Sequence, residues 1–271
     1  MLKIIIPILT LLIISCSLCD NITDNEEDNI AVDEEVATIK ILFIGSSYFD
    51  YNNLPELFRE LATAGGKEVL IDSRMDPGTY LRDHADMQET EDMINQEAWD
   101  YVVLQGVGIL MAYPDYFADH SVATALRLLQ QKIYFNSSST KIVFCLPWAF
   151  EDGMTWFEDW TDTYTDMQIK INDTTLDYAD DMGFDIAPVG VAWHKILEEQ
   201  NYPLHYLHLN DWNHPSPKGS YLMANVIYST IFQESINDIS YYAGLPEEEA
   251  HHFQLVASFT VLDDLDLWLN D

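Results

Sequence analysis

Short apolar segments alternate with longer amphipathic segments along most of this chain, and this alternation limits the fold more than any other feature of the sequence. Strands are predicted at residues 38–44, 68–71, 100–104, 141–146 and 185–189. Helices are predicted at residues 54–64, 121–135, 160–182, 191–199 and 216–233. Nearly continuous apolar strands are typical of a parallel sheet that is covered on both faces. Right-handed crossovers between such strands predict an α/β fold, a three-layer α/β/α sandwich with a mostly parallel, about five-stranded, doubly wound sheet.

Polar residues and glycines directly follow three of these predicted strands. Gly45-Ser46-Ser47 follows the first, Gln105-Gly106 follows the third and Pro147-Trp148 follows the fourth. The carboxyl ends of parallel strands lie at one edge of a sheet, and open α/β sheets bind their ligands at that edge. We therefore expect these three segments to contribute to one site.

A carboxylate and an imidazole lie three residues apart in Asp211-Trp212-Asn213-His214, far downstream of the two serines. A serine is a weak nucleophile until a base takes its proton and a third group orients that base. His214 is thus predicted to be the general base, and Asp211 the group that fixes its tautomer. Either Ser46 or Ser47 could supply the nucleophile, because the chemistry of two adjacent serines does not distinguish them.

Four short blocks in this order resemble the SGNH (GDSL-like) hydrolase family, and the resemblance covers most of residues 38–235. The blocks are Phe43-Ile44-Gly45-Ser46-Ser47, Asp76-Pro77-Gly78-Thr79-Tyr80-Leu81, Val103-Leu104-Gln105-Gly106 and Asp211-Trp212-Asn213-His214-Pro215-Ser216. The first is similar to a branch that reads Ile-Gly-Asn-Ser-Tyr and continues Asn-Asn-Leu-Pro, as residues 52–55 do here. The family register implies that Ser47 is the nucleophile and that Ser46 replaces the usual Asp or Asn.

The same resemblance implies an oxyanion hole formed by the backbone N–H groups of Ser47 and Gly78 and by the side chain of Gln105. Most members of the family use an asparagine in place of Gln105. Each block also has an ordinary structural interpretation: Gly78 after Pro77 is common turn chemistry, and Gln105 could simply cap its strand. The order of all four blocks favours the hydrolase interpretation.

Aromatic residues are concentrated just after the fourth predicted strand, at Trp148, Phe150, Trp156, Phe157, Trp160 and Tyr164. Trp156, Trp160 and Tyr164 are spaced by four, so a helix would align them in its packing face. Alternatively, an aromatic wall beside the site would stack against a neutral sugar ring. On that second interpretation the candidate substrate-binding residues are Trp148, Trp156 and Trp212.

The first residues have the pattern of a bacterial lipoprotein signal. Lys3 precedes an apolar run at residues 4–14, and Ile13-Ile14-Ser15-Cys16 resembles a lipobox, which implies cleavage before Cys16 and a lipid on its sulfur. An ordinary secretory signal cleaved nearby stays open as an alternative. The expected organisation is a signal at 1–15, an acidic flexible tether at 16–37 and a hydrolase domain at 38–271, with a C-terminal extension from about 236.

Acidic residues outnumber basic ones by 46 to 12, a formal net charge of −34, and such a surface repels nucleic acid and anionic headgroups. No spacing of cysteine and histidine matches a zinc site, so neither a metal nor a cofactor is expected. The oligomeric state is not indicated. Cys145 is expected to be a buried structural thiol.

These features together predict an exported, lipid-anchored serine ester hydrolase of the bacterial cell envelope, with an outer-membrane, surface-exposed location as one possibility. Analogy with the family and the export signal favour a small-molecule or carbohydrate ester, such as an acetylated sugar, as its substrate. Two alternatives stay open. One is a lipase or thioesterase with the same mechanism, and the other is a catalytically weak glycan-binding lipoprotein, which the departures at Ser46 and Gln105 allow.

Overall fold

The computed structural model describes residues 37–157, 159–199 and 202–270. The predicted signal, the lipidation site Cys16 and nearly all of the tether lie outside these residues. Five strands form one sheet: β1 Ile39–Gly45, β2 Val69–Met75, β3 Tyr101–Gln105, β4 Lys141–Cys145 and β5 Asp185–Ala187. The spatial order is β2-β1-β3-β4-β5 and every neighbouring pair is parallel. The predicted doubly wound α/β/α fold is confirmed, because this is the flavodoxin-like strand order.

The inner strands β1, β3 and β4 are mostly apolar because both faces of the sheet are covered. In β1, Ile41 and Phe43 join the apolar cluster on one face, whereas Leu42 and Ile44 join the cluster on the other. Successive side chains of a strand point to opposite faces, so a doubly covered strand shows no polar alternation.

Eleven α-helices surround the sheet within the described residues. They are α1 Ser47–Asp50, α2 Leu54–Ala64, α3 Leu81–Asp86, α4 Gln88–Ile94, α5 Gly108–Ala112, α6 Val122–Asn136, α7 Tyr164–Met182, α8 Val189–Glu199, α9 Pro217–Phe232, α10 Glu247–Leu262 and α11 Leu265–Trp268. Helices α2, α8, α9 and α10 contribute to one apolar cluster, and α3 to α7 contribute to the other. In the part of the chain that the structure describes, no helix combines the length and apolar character needed to cross a membrane.

The predicted helix at 160–182 begins later than expected. Helix α7 starts at Tyr164 because Thr163 caps it: the Thr163 hydroxyl accepts from the N–H of Asp166, and the Asp166 carboxylate accepts from the N–H of Thr163. Trp156 and Trp160 therefore lie in a loop, where Met154 and Asp162 form an isolated antiparallel bridge. The predicted helical alignment of these two tryptophans with Tyr164 is wrong.

The C-terminal extension from about residue 236 is mostly helical. A loop leads into the long helix α10, and the short helix α11 follows. No strand forms in residues 236–270. Helices α2, α8 and α10 all pack against α9, and this explains why every residue of α9 from Gly219 to Ile231 is buried.

Candidate active site

The end of β1 places two serines in different environments. Ser46 has extended backbone angles and is buried, and its hydroxyl donates to Gln105 Oε1 at 3.0 Å. Ser47 is the first residue of α1, and its Oγ lies 2.8 Å from His214 Nε2. The strand-to-helix turn thus presents one serine to the imidazole and uses the other to hold the turn.

The Asp211 carboxylate fixes both the backbone and the ring of His214. Its Oδ2 lies 2.7 Å from His214 Nδ1, and its Oδ1 accepts from the backbone N–H groups of His214 and Asn213 at 2.9 and 3.1 Å. A carboxylate only accepts, so Nδ1 carries the proton and Nε2 is left as the acceptor that faces Ser47. The structure therefore joins Asp211, His214 and Ser47, in that order, into one hydrogen-bonded chain.

The pKa of Asp211 reflects two opposing effects. Burial alone would raise the pKa of this carboxyl group, but the hydrogen bonds from His214 and Asn213 outweigh burial and lower the pKa below its ordinary value. Asp211 is consequently ionised across the neutral range and well into mildly acidic solution.

Two aromatic residues hold the segment that carries Asp211 and His214. The Trp148 indole N–H donates to the Asn213 carbonyl at 2.9 Å, and the Tyr48 hydroxyl donates to the Asn213 side-chain oxygen. Trp148 itself is stacked between Tyr48 and Trp193, with ring centroids 4.5 and 4.1 Å away. Trp148 was predicted to bind substrate, and this is corrected here: its side chain is fully buried, so it supports the loop from inside the core.

The Tyr51 ring packs against one face of the His214 imidazole. The two rings are stacked, with centroids 4.4 Å apart and planes within 18° of each other. Sequence reasoning missed Tyr51, Tyr48 and Asn52, whose amide donates to the Pro215 carbonyl at 3.1 Å. Tyr48 and Asn52 belong to the block that resembles the family branch, but the contacts could not be predicted because the partners lie more than 160 residues away.

Gly78 lies on the wall of the same cleft as Ser47. Its φ of +79° is a left-handed conformation that a side chain would strain, and a Cβ built there would meet no atom within 4 Å. Glycine is thus required here because φ is positive, and not because a side chain would clash with a neighbouring atom. Ser47 begins a helix, so its N–H has no acceptor within that helix.

Gln105 is oriented by Ser46. The backbone N–H of Ser46 donates to Gln105 Oε1 at 2.9 Å, which fixes which end of the carboxamide is the oxygen. The Nε2 group donates one of its two hydrogens to the Gly106 carbonyl at 2.5 Å. Gln105 lines a small cavity beside Ser46 and is not part of the lining of the cleft that contains Ser47 and His214. The side chain therefore supports the nucleophile turn directly, and its predicted role as an oxyanion donor stays a prediction.

His84 ties α3 to the end of β1. Its Nε2 donates to the Gly45 carbonyl at 2.8 Å, and its Nδ1 accepts from the Thr90 hydroxyl at 3.0 Å. Burial lowers the pKa of this imidazole, although the bond to Gly45 acts in the opposite direction, so the neutral ring is favoured. His84 therefore has a structural role, because both of its ring nitrogens hydrogen-bond within the fold.

A cleft of about 350 Å³ opens over the Ser47–His214 pair. Its lining is Ser46, Ser47, Tyr48, Tyr51, Pro77, Gly78, Tyr80, Val107, Ile109, Phe150, Trp156, Asn213 and His214. Trp156 is 62% exposed and stacks on Phe150 with centroids 5.0 Å apart. Trp212, the third predicted substrate-binding tryptophan, does not line this cleft. Its ring packs against the His205 ring, with ring centroids 4.8 Å apart and planes at 76°.

No protein-family model and no curated protein sequence matches the chain. Solved structures do share the fold. A DUF4886 family protein from Bacteroides uniformis is 20% identical with a TM-score of 0.68, over 85% of this chain and 96% of that one. A proposed SGNH hydrolase from Slackia heliotrinireducens is 24% identical with a TM-score of 0.56, over 72% of this chain and 100% of that one. The acetylxylan esterase Axe2 from Geobacillus stearothermophilus is 18% identical with a TM-score of 0.52, over 71% and 94%.

Proposed function

We propose that this protein is a serine ester hydrolase in which Ser47, His214 and Asp211 form the catalytic triad. One observation carries the proposal: the unbroken chain of hydrogen bonds from Asp211 Oδ2 through His214 to Ser47 Oγ, with contacts of 2.7 and 2.8 Å. This arrangement is the geometry that activates a serine nucleophile. The shared fold with the proposed SGNH hydrolase and with Axe2 is consistent with it.

The chemistry follows from the direction of these hydrogen bonds. As Ser47 Oγ attacks the ester carbonyl carbon, its proton passes to His214 Nε2 and the carbonyl electron pair moves onto the oxygen. The imidazolium returns that proton to the departing alcohol, which leaves an acyl group on Ser47. A water molecule then attacks the acyl carbon, gives its proton to His214 and releases the carboxylic acid, while Ser47 Oγ recovers the proton.

The backbone N–H groups of Ser47 and Gly78 are the proposed donors to the oxyanion, and the second carboxamide hydrogen of Gln105 is the proposed third donor. The first two residues line the cleft, so the oxygen of a bound ester can approach both of them. The Gln105 side chain lines the small cavity beside Ser46, and its oxygen also accepts the hydrogen bonds that hold the turn at Ser46. Such donors stabilise the charge that develops in the transition state.

A short acyl group on a neutral carbohydrate is the proposed substrate. A cleft of about 350 Å³ is at the small end of ligand pockets, which suits an acetyl group with part of a sugar better than a long acyl chain. Exposed Trp156 on its wall offers a flat apolar face for a sugar ring. Acetylxylan esterase is the name of one structural neighbour, and that analogy supports the class of bond rather than the particular glycan.

Export and lipid anchoring at Cys16 complete the proposal. The support is the basic residue, the apolar run and the lipobox-like segment at residues 3–16, followed by a segment too acidic to fold alone. An acidic protein with a net charge of −34 on a tether would stay away from the anionic membrane surface behind it.

A panel of esters tests the proposed activity. Purified protein would be assayed with 4-nitrophenyl esters from acetate to palmitate, with acetyl thioesters and with acetylated xylan and glucomannan. We expect hydrolysis of acetate esters and release of acetate from at least one glycan. A preference for long acyl chains would establish the lipase alternative, preference for thioesters would establish a thioesterase, and no hydrolysis of any ester would leave the glycan-binding alternative.

A further inference from the structure

A group of five aromatic rings, two of them exposed and three half-buried, lies beside the cleft and takes no part in the proposed chemistry. We call it the aromatic shelf. It is built from the turn after α5 and from the loop after β4, and its members are Tyr113, Tyr116, Phe117, Phe157 and Trp160. Tyr116 is 58% exposed and Phe157 is 41% exposed. Trp156, the exposed wall of the cleft, immediately precedes Phe157, so the loop that carries the shelf adjoins the cleft.

The rings of the shelf support one another. Trp160 lies at its centre, with centroids 4.4 Å from Tyr113 and 4.9 Å from both Tyr116 and Phe157. The Tyr113 hydroxyl donates to Asp162 at 2.6 Å, and the Lys170 ammonium lies over the Tyr113 ring at 4.9 Å. A surface held in this way binds with little loss of side-chain freedom.

Exposed aromatic residues that occur singly need no explanation, but contiguous ones mark a binding surface. Phe135 on α6 is the contrast: it is 93% exposed and makes no ring contact with the described residues. The shelf instead joins five rings and adjoins a cleft with a nucleophile. The position of the shelf favours a ligand that contacts both the shelf and the cleft.

Charge identifies the chemistry of that ligand. Asp115, Asp119 and Asp159 are exposed in the same two loops, and the whole chain carries a net charge of −34. Phosphate, sulfate and uronic acid groups would be repelled. A neutral sugar chain fits, because its C–H faces pack on aromatic faces and its hydroxyl groups donate to carboxylates.

We propose that the aromatic shelf binds neighbouring residues of a neutral polysaccharide chain whose acylated residue occupies the cleft. The binding part of this proposal stands on the shelf alone, whereas presentation of the chain to Ser47 rests on the proposed function. The protein would accordingly act on acylated polymers or long oligosaccharides rather than on single sugars.

Binding to unesterified glycans tests the shelf without any chemistry. Soluble deacetylated xylan, glucomannan and polygalacturonate would be embedded in native gels, and the retardation of the protein would be measured. We expect at least one neutral glycan to retard the wild-type protein and polygalacturonate not to do so. The double variant Tyr116→Ala/Phe157→Ala should bind that glycan at least tenfold more weakly, while Phe135→Ala should bind like the wild type. Absence of retardation by both neutral glycans, or equal retardation of the shelf variant, would overturn the proposal.

Kinetics separate this proposal from the proposed function. The shelf variant should retain wild-type kcat/KM on 4-nitrophenyl acetate, which is too small to reach the shelf, and should show a raised KM on the acetylated polymer. Equal KM values on the polymer would refute presentation by the shelf. If the wild-type protein hydrolyses no ester but still binds the neutral glycan through the shelf, the proposed function fails and the binding surface stands. An unchanged Tm would show that the two exposed substitutions leave the fold intact.

Discussion

His214 is the residue at which the contacts of the candidate site converge. It shares hydrogen bonds with Asp211 and Ser47 and is stacked against Tyr51. Each contact constrains a different property: Asp211 fixes the tautomer, Ser47 fixes the direction of Nε2, and Tyr51 fixes the plane of the ring. Substitutions of this imidazole and of its hydrogen-bond partners should therefore lower activity strongly.

Removal of the base should cost more than removal of its orienting partner. His214→Ala should lower kcat by about 10⁴–10⁶, and Asp211→Asn by about 10²–10⁴, because the amide can hold the ring but cannot stabilise imidazolium. In the wild-type protein kcat/KM should fall as the pH decreases, because only neutral imidazole accepts the proton of Ser47. The lowered pKa of Asp211 keeps that carboxylate ionised in mildly acidic solution. Full activity of His214→Ala would refute the triad.

Gln105 and Ser46 form a matched pair for a test of the oxyanion hole. Gln105→Ala removes both the support of the Ser46 turn and the proposed donor, and should lower kcat by about 10²–10³. Ser46→Ala removes only one hydroxyl, because the Ser46 N–H still donates to Gln105, and should remain near wild-type activity. Steady-state kinetics on 4-nitrophenyl acetate would decide. If Gln105→Ala retains the wild-type kcat, Gln105 is not the third oxyanion donor. The backbone at Gly106 is then the next candidate.

At the residue scale, sequence information identified groups whose partners are close in sequence or belong to a recognisable block. Asp211 and His214 are three residues apart, so their pairing could be predicted. Tyr48 reaches Asn213 across 165 positions, and Trp148 reaches the same residue across 65. Such contacts depend on tertiary packing. This is why Trp148 was assigned to the substrate when it supports the loop.

At the scale of elements, the predicted bounds of a helix agree with the observed bounds where the helix is long and its capping residues are recognised. The predicted helix 54–64 matches α2 in full because its apolar face and the Gly65-Gly66 ending are both strong signals. The short helices α1, α3, α4, α5 and α11 were missed, since four to seven residues contain too few turns to show a period. The start of α7 was misplaced because the capping pair at Thr163 and Asp166 was overlooked.

The loop that carries the base is also an element-scale feature, and two buried tryptophans permit a controlled test. Trp148→Phe keeps a ring between Tyr48 and Trp193 but removes the indole donor to Asn213. We expect a kcat about tenfold lower, together with the loss of about 1 kcal/mol of stability that one hydrogen bond contributes. Trp193→Phe is the control, because its indole nitrogen has no hydrogen-bond partner among the described residues. Equal kcat in the two variants would contradict the role of Trp148 in the loop.

At the scale of the whole molecule, the segments that carry Ser47, Gly78 and Gln105 lie at one edge of the sheet. Gly45 pairs with Met75 of β2, and Ile44 pairs with Leu104 of β3. The segments after these three strands therefore meet at the same edge, as the predicted parallel sheet required. The fold could be predicted because it depends on apolar periodicity alone, whereas the lining of the cleft depends on loops that lack any period.

The location of the molecule is a separate prediction. Cys16→Ser should transfer the protein from the membrane fraction to the soluble exported fraction, because the thiol is the proposed site of the lipid. Fractionation of cells followed by detection of the protein would measure this. Equal membrane association of the variant and the wild type would exclude the anchor at Cys16.

Covalent labelling of the nucleophile tests the central claim most directly. The wild-type protein, Ser46→Ala and Ser47→Ala would each be treated with a fluorophosphonate, and the modified residue would be located by peptide mass spectrometry. We predict that the wild type and Ser46→Ala carry the label on Ser47, because its Oγ faces His214 Nε2. Ser47→Ala should carry none. Label on Ser46, or unchanged labelling of Ser47→Ala, would contradict the assignment of the nucleophile, and an unlabelled wild-type protein would contradict the hydrolase itself.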